Sequence, residues 1–88
     1  MMKIKAIYDN GGETADRYTI VFDSSRIDYR YNEYTLVYDC LCLSDNPEHP
    51  TGVSMWGECN IGNHLGNKIT LKSLPKHIQK HIAMRMAE

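Results

Sequence analysis

Five groups of side chains in this sequence have the types and spacing to do chemistry. Cys40-x-Cys42 with Cys59-x4-His64 supplies four groups of the kind that ligate zinc. Structural zinc takes such ligands as a tetrahedron, but its usual knuckle is Cys-x2–4-Cys on a turn. Two cysteines one residue apart in a strand project from one face, where they pack as small apolar groups. No metal is expected, and Cys40, Cys42, Cys59 and His64 stand only as weak candidates.

His77 and His81 have helical spacing, but no Glu follows His77 and the metalloprotease pattern is absent. At about 100° per residue His81 lies roughly 20° from Leu74, at a core boundary, with His77 on its outer flank. Asp9, Glu13, Asp16, Asp39 and His64 would allow general acid–base work if the fold gathered them. No nucleophile elbow, phosphate-loop lysine or other catalytic signature accompanies them. No catalytic residue and no cofactor is assigned, and the balance leans away from an enzyme.

Tyr29, Tyr31, Tyr34 and Tyr38, with Arg26 and Arg30, combine aromatic faces with cations as single-strand binders do. Asp23, Asp28, Glu33 and Asp39 lie among them and would repel a phosphate backbone. Tyr and Arg are equally the residues of protein–protein hot spots, so a protein partner is favoured over nucleic acid, with Arg30 and Tyr31 among the contacts. The last group is Asp9, Asn10, Asp16, Arg17, Asn46 and His64, polar residues of loops that would form a binding pocket if they converged. Arg17 would clamp a carboxylate or phosphate there, and Gly11-Gly12 would let backbone N–H groups approach an anion.

The elements that must position these residues follow from periodicity. Residues 3–8 alternate in character and read as a half-buried strand. Asn10-Gly11-Gly12 permits a reversal, and residues 17–22 alternate again, giving a hairpin with a loop longer than two residues. Residues 23–33, "DSSRIDYRYNE", read as a further turn with a short strand at 27–31. Residues 33–43, "EYTLVYDCLCL", are the strongest strand and read as central in the sheet, being β-branched and aromatic without Gly or Pro. The 44–67 connection carries two prolines and four glycines, with a short edge strand expected at 53–59. Residues 68–72 read as a last short strand, with Ile69 and Leu71 on one face.

A helix then follows. Ser73 is placed to cap it, Pro75 suits its first turn, and Leu74, Ile78, Ile82 and Met86 step by four along one face. The fold class is therefore α+β: a small, mainly antiparallel sheet of four or five strands packed by one C-terminal helix.

At 88 residues the chain is read as a single domain, 1–88, burying about 60–65% of its unfolded surface. A composition 42% hydrophobic and 24% charged is that of a globular protein rather than a disordered one. No apolar run has membrane-spanning length, and no secretory h-region is visible, so a cytoplasmic protein with reduced thiols and no membrane partner is expected. Residues 1–61 sum to −5 and residues 62–88 to +4, through Lys68, Lys72, Lys76, Lys80 and Arg85 against Glu88. That asymmetry fits either a solvated helix face or a basic docking element for nucleic acid or a partner. Oligomeric state is left open.

Three stretches, "YDNGGETADRYTIVFD", "LSDNPEHPTGVSMWGEC" and "GNHLGNKITLKSLPKHIQKHI", resemble a family of small, largely uncharacterised proteins encoded by bacteriophages, prophages and plasmids. The pattern falls on Asp9, Asn10, Gly11, Gly12, Asp16, Arg17, Tyr18 and Thr19, then Ser44, Asn46 and Pro47, then His64, Leu65 and Gly66. It covers nearly the whole chain, with residues 23–33 the variable part. The resemblance implies an accessory protein in the host cytoplasm that binds a host protein or complex, including inhibition of a defence system as anti-CRISPR proteins do. That implication is analogy of habitat.

The polar string at 9–19 is expected to be first a structural device. Gly11 and Gly12 should take conformations barred to residues with a Cβ, and Asp9 or Asn10 should cap the turn backbone. Asp16 should pair with Arg17 or another loop. Arg17 should face away from Tyr18 and Ile20, leaving Tyr18, Ile20 and Phe22 to meet Leu74, Ile78 and Ile82.

Overall fold

The computed structural model describes residues 3–30 and 32–88, so Tyr31 lies outside the described residues. Five strands and one helix follow in chain order: β1 (Ile4–Asp9), β2 (Tyr18–Arg30), β3 (Glu33–Leu43), β4 (Ser54–Cys59), β5 (Asn67–Ile69) and α1 (Lys76–Met86). The sheet has the order β4-β3-β2-β1-β5, and all four pairings are antiparallel. This is the α+β architecture that the periodicities specify.

Alternation along the strands sends residues to two faces. Ile7, Tyr18, Ile20, Phe22, Leu41 and Leu43 form the main core with Leu74, Ile78 and Ile82 of the helical segment. Tyr18, Ile20 and Phe22 thus join Leu74, Ile78 and Ile82 in one core as expected, although Leu74 lies just before the helix. Trp56 of β4 closes this layer, 5.5 Å from the Phe22 ring and beneath the Arg85 guanidinium. The opposite face is smaller, with Ala6, Tyr8 and Val21 buried and Tyr38, Cys59 and Leu65 packed on them. Because β4 and β5 are opposite edges, residues 60–66 must cross the sheet, and Leu65 carries that crossing over the second face.

Four local expectations are corrected. Residues 23–26 are not a turn: β2 runs on to Arg30, and the Asp-Ser-Ser stretch is taken up by a bulge between Val21 and Ser25. A bulge accommodates extra residues and bends the strand without ending it. β3 is interior but not central, that place being held by β2. Leu71 leaves the sheet for a 3₁₀ turn at Leu71–Ser73 and is exposed. Ser73 does not cap α1. Its hydroxyl donates to the Thr70 carbonyl at 2.7 Å, and Pro75 holds the N-cap position with no side-chain cap hydrogen bond. No helix among the described residues is long and apolar enough to cross a membrane.

Candidate functional site

The turn after β1 is built from its own side chains. Gly11 and Gly12 sit at φ 75° and 87°, where a Cβ is penalised. The Gly11 N–H donates to Asp9 Oδ1 at 2.8 Å, and the Gly12 N–H to Asn10 Oδ1 at 2.8 Å. The Asn10 amide in turn donates to Thr14 Oγ1 at 2.8 Å. Asp9 also receives Arg17 in bidentate fashion, at 2.8 and 3.1 Å, and a third Arg17 nitrogen reaches Asp45 at 3.1 Å. The Arg17 hydrogen bonds hold the Asp9 carboxyl below its ordinary range, and the two carboxylates raise Arg17 further above its own. Two expectations are corrected here. Asp16 accepts from Thr14 Oγ1 at 2.6 Å within its own loop instead of pairing with Arg17. Arg17 does not turn away from Tyr18: its guanidinium lies 5.2 Å from that ring's centre.

The six polar loop residues do not share one cavity. Arg17 and Asn46 line an open hollow of about 470 Å³ with Asp45, His49 and Thr51. Asp9, Asn10 and His64 line a second, of about 430 Å³, with Glu13, Asn63 and Asn67. The hairpin stands between them, Gly12 lining the first and Gly11 the second. Asp16 lines neither. With its three hydrogen bonds on carboxylates, Arg17 is neutralised as an anion clamp. Gly66 explains why His64 and Leu65 come so close to the turn. It has φ 109°, and a Cβ there would meet the Asp9 carbonyl oxygen at 2.4 Å. This glycine seats the crossing segment on the hairpin.

The cysteines lie on the second face. Cys40 and Cys42 have sulfurs 3.8 Å apart, and Cys59 is packed against the same layer. The hydrogen bond to Cys42, together with burial, pushes the Cys40 thiol up, while accepting it holds Cys42 down. No group of three or more His, Cys, Asp or Glu side chains among the described residues is arranged to hold a metal ion. His64 is elsewhere, exposed in the 3₁₀ turn at Asn63–Leu65. His81 is buried, its Nε2 2.7 Å from Ser54 Oγ, and His77 bonds the Asp45 carbonyl oxygen at 2.9 Å.

The most unusual surface is the far half of the β2–β3 pair. β1 leaves β2 at Phe22, and β4 leaves β3 at Tyr38, so Ser25–Arg30 and residues 33–37 continue as a two-stranded arm with no neighbouring strand among the described residues. Ile27 opposes Leu36 and Tyr29 opposes Tyr34, which puts all four on one face. They are 69, 47, 55 and 76% exposed, respectively. The two tyrosine rings pack on each other at 4.7 Å. The other face is ionic and self-paired: Arg26 bonds Glu58, and Arg30 Nε lies 2.7 Å from Asp28. Arg85 is likewise engaged with Glu88 at 2.9 Å and with Trp56, leaving Lys68, Lys72, Lys76 and Lys80 as the other cations of residues 62–88.

Sequence reasoning found the tyrosines and arginines of this region but not Ile27 and Leu36 as its apolar partners. The signal was present in the alternation of Ile27 and Tyr29 with Arg26, Asp28 and Arg30. It was obscured by the turn-forming residues just before it. No family model matches the chain, and neither a curated protein nor a solved structure matches it.

Proposed function

We propose that this chain is a small protein-binding module that docks on a host protein or complex through the apolar face of the β2–β3 arm. On the phage resemblance, the proposed role is that of an accessory protein that inhibits a defence system. The observation that carries the docking reading is the exposed quartet Ile27, Tyr29, Tyr34 and Leu36 on a projecting element. Aromatic and aliphatic groups gathered on one face supply the desolvated centre an interface needs. The neighbouring charges favour protein over nucleic acid, because Arg26 and Arg30 already have carboxylate partners. The pocket reading is weaker, since the polar loops use their donors and acceptors on one another and Arg17 is neutralised.

The test is a paired one. Host cells carrying a CRISPR-type defence are challenged with phage while expressing the parent chain or a Tyr34→Asp, Leu36→Asp variant. Both positions are exposed, so the variant is expected to fold. The parent should raise plaquing and co-purify with a defence protein at fixed stoichiometry, and the variant should do neither. Equal activity of the two chains would remove the arm from the function. No effect of the parent on any defended host would remove the anti-defence role.

A further inference from the structure

The two edges of the arm are not equivalent. On the β3 side, the Asn60 amide donates to the Leu36 carbonyl at 2.9 Å, so one of that edge's acceptors is already covered. This contact also fixes the phase of the ladder. In an antiparallel pair, opposed residues alternate between those bonded to each other and those whose backbone groups point outward. Leu36 points its carbonyl outward, so its opposite, Ile27, also points N–H and C=O out, and the Tyr29–Tyr34 pair does the same. The Asp23 N–H donates to the Lys3 carbonyl at 2.7 Å, which places odd-numbered residues of β2 on the outward side from the other end. From Ser25 to Tyr29 no described strand takes up those groups. The stretch has no Lys, Pro or bulge to discourage pairing.

From this we infer that a second copy of this chain pairs with the free edge of β2, antiparallel, across a two-fold axis at Ile27. Charge selects this register. With the axis at Ile27, Arg26 stands opposite the partner's Asp28 and Ser25 opposite the partner's Tyr29, and each contact occurs twice. With the axis at Asp28, Asp28 would face its own copy and Arg26 would face Arg30, so like charges are opposed throughout. With the axis at Tyr29, the pairing would run off the strand's end at Arg30. An isologous contact of this kind closes on itself and uses up the free edge of β2 in both copies. Since the pairing uses the edge of the arm and host docking uses its face, the two stand or fall separately. Pairing would join two apolar quartets into one four-stranded platform.

Sedimentation equilibrium of the full chain, from low micromolar to near-millimolar concentration, tests the inference. The parent should show a reversible monomer–dimer equilibrium. Ile27→Pro removes an outward N–H while leaving the inward ladder groups of β2 intact, so it should be monomeric with unchanged circular dichroism. If proline disturbs the arm, Ile27→Lys, which sets two cations on the axis, should give the same result. Arg26→Asp and Asp28→Arg should each raise the dissociation constant about tenfold or more, because each opposes like charges at two places. The double exchange should restore it to within a few-fold. A parent that stays monomeric throughout overturns the inference, as does a dimer indifferent to Ile27→Pro and Ile27→Lys. Failure of the double exchange to recover the dimer overturns the register at Ile27.

Discussion

Asp9 ties the glycine turn to the start of the next strand, because one carboxylate serves both the Gly11 N–H and the Arg17 fork. Asp9→Ala should cost about 1–2 kcal/mol, the lower part of the range for hydrogen bonds to charged groups, because the site is partly exposed and screened. The sign of its pH dependence follows from the lowered carboxyl. The folded value lies below the ordinary 3.8, so the contribution is complete above that pH and is lost as pH falls through the folded value. Parent and Asp9→Ala unfolding curves should therefore separate at neutral pH and converge in acid, and a constant gap down to the lowest pH would disprove the linkage. The thiols give a second residue-scale prediction. Cys42 is held down by the hydrogen bond from Cys40, while burial raises Cys59 and Cys40 is both raised and only 1% exposed. Thiolate is the reactive form, so alkylation followed by peptide mass spectrometry should modify Cys42 first and Cys40 last.

At the scale of elements, the hairpin and the helix fail differently when altered. Gly11→Val with Gly12→Val should destabilise by a few kcal/mol through backbone strain alone, at roughly 1–2 kcal/mol per residue. A Cβ at either position meets nothing within 4 Å. Ile78→Ala should cost about 2–5 kcal/mol for the opposite reason, since it is fully buried between helix and sheet. Chemical denaturation distinguishes both from Leu36→Ala, which should leave stability nearly unchanged because Leu36 is exposed. These elements were legible to different degrees. The helix face, β1, β3 and β4 follow from local periodicity, and the glycine turn from the demand for positive φ. The course of β2 was not legible, because Asp23-Ser24-Ser25 satisfies turn chemistry as well as it does a bulge, and only pairing with β3 decides between them. Ser73 is a similar case: a good capping residue stands just before the helix, but the cap position falls on Pro75 and the Ser73 hydroxyl serves the Thr70 carbonyl instead. The candidate site was legible as a composition and not as a surface. Which face of residues 26–38 is open depends on where β1 and β4 stop, and that is a property of the assembled sheet.

The molecule as a whole divides into a region held from both sides and an arm held from one direction only. Across Tyr18–Phe22 and residues 40–43, β2 and β3 have neighbours on both edges, the helix on one face and the crossing segment at residues 60–66 on the other. Opening any strand there breaks two ladders and exposes core, so its amides should exchange only near the free energy of global unfolding. The arm has one ladder, no buried apolar residue and only surface ion pairs, from Ser25 to Arg30 and from residue 33 to 36. Its opening exposes little that is not exposed already, and so it should be sub-global. Native-state hydrogen exchange on a monomeric variant, Ile27→Lys, should therefore give two classes of protected amide. Those of Ile20, Val21, Leu41 and Ile78 should exchange slowly, and those of the arm faster by orders of magnitude. Within the arm, the outward amides of Tyr29, Tyr34 and Leu36 should exchange without measurable protection, while the inward amide of Asp28 should show some. Uniform protection along β2 from Tyr18 to Tyr29 would contradict this division. It would mean that the arm folds and unfolds as one unit with the sheet, and that its apolar face is not borne on an independently yielding element.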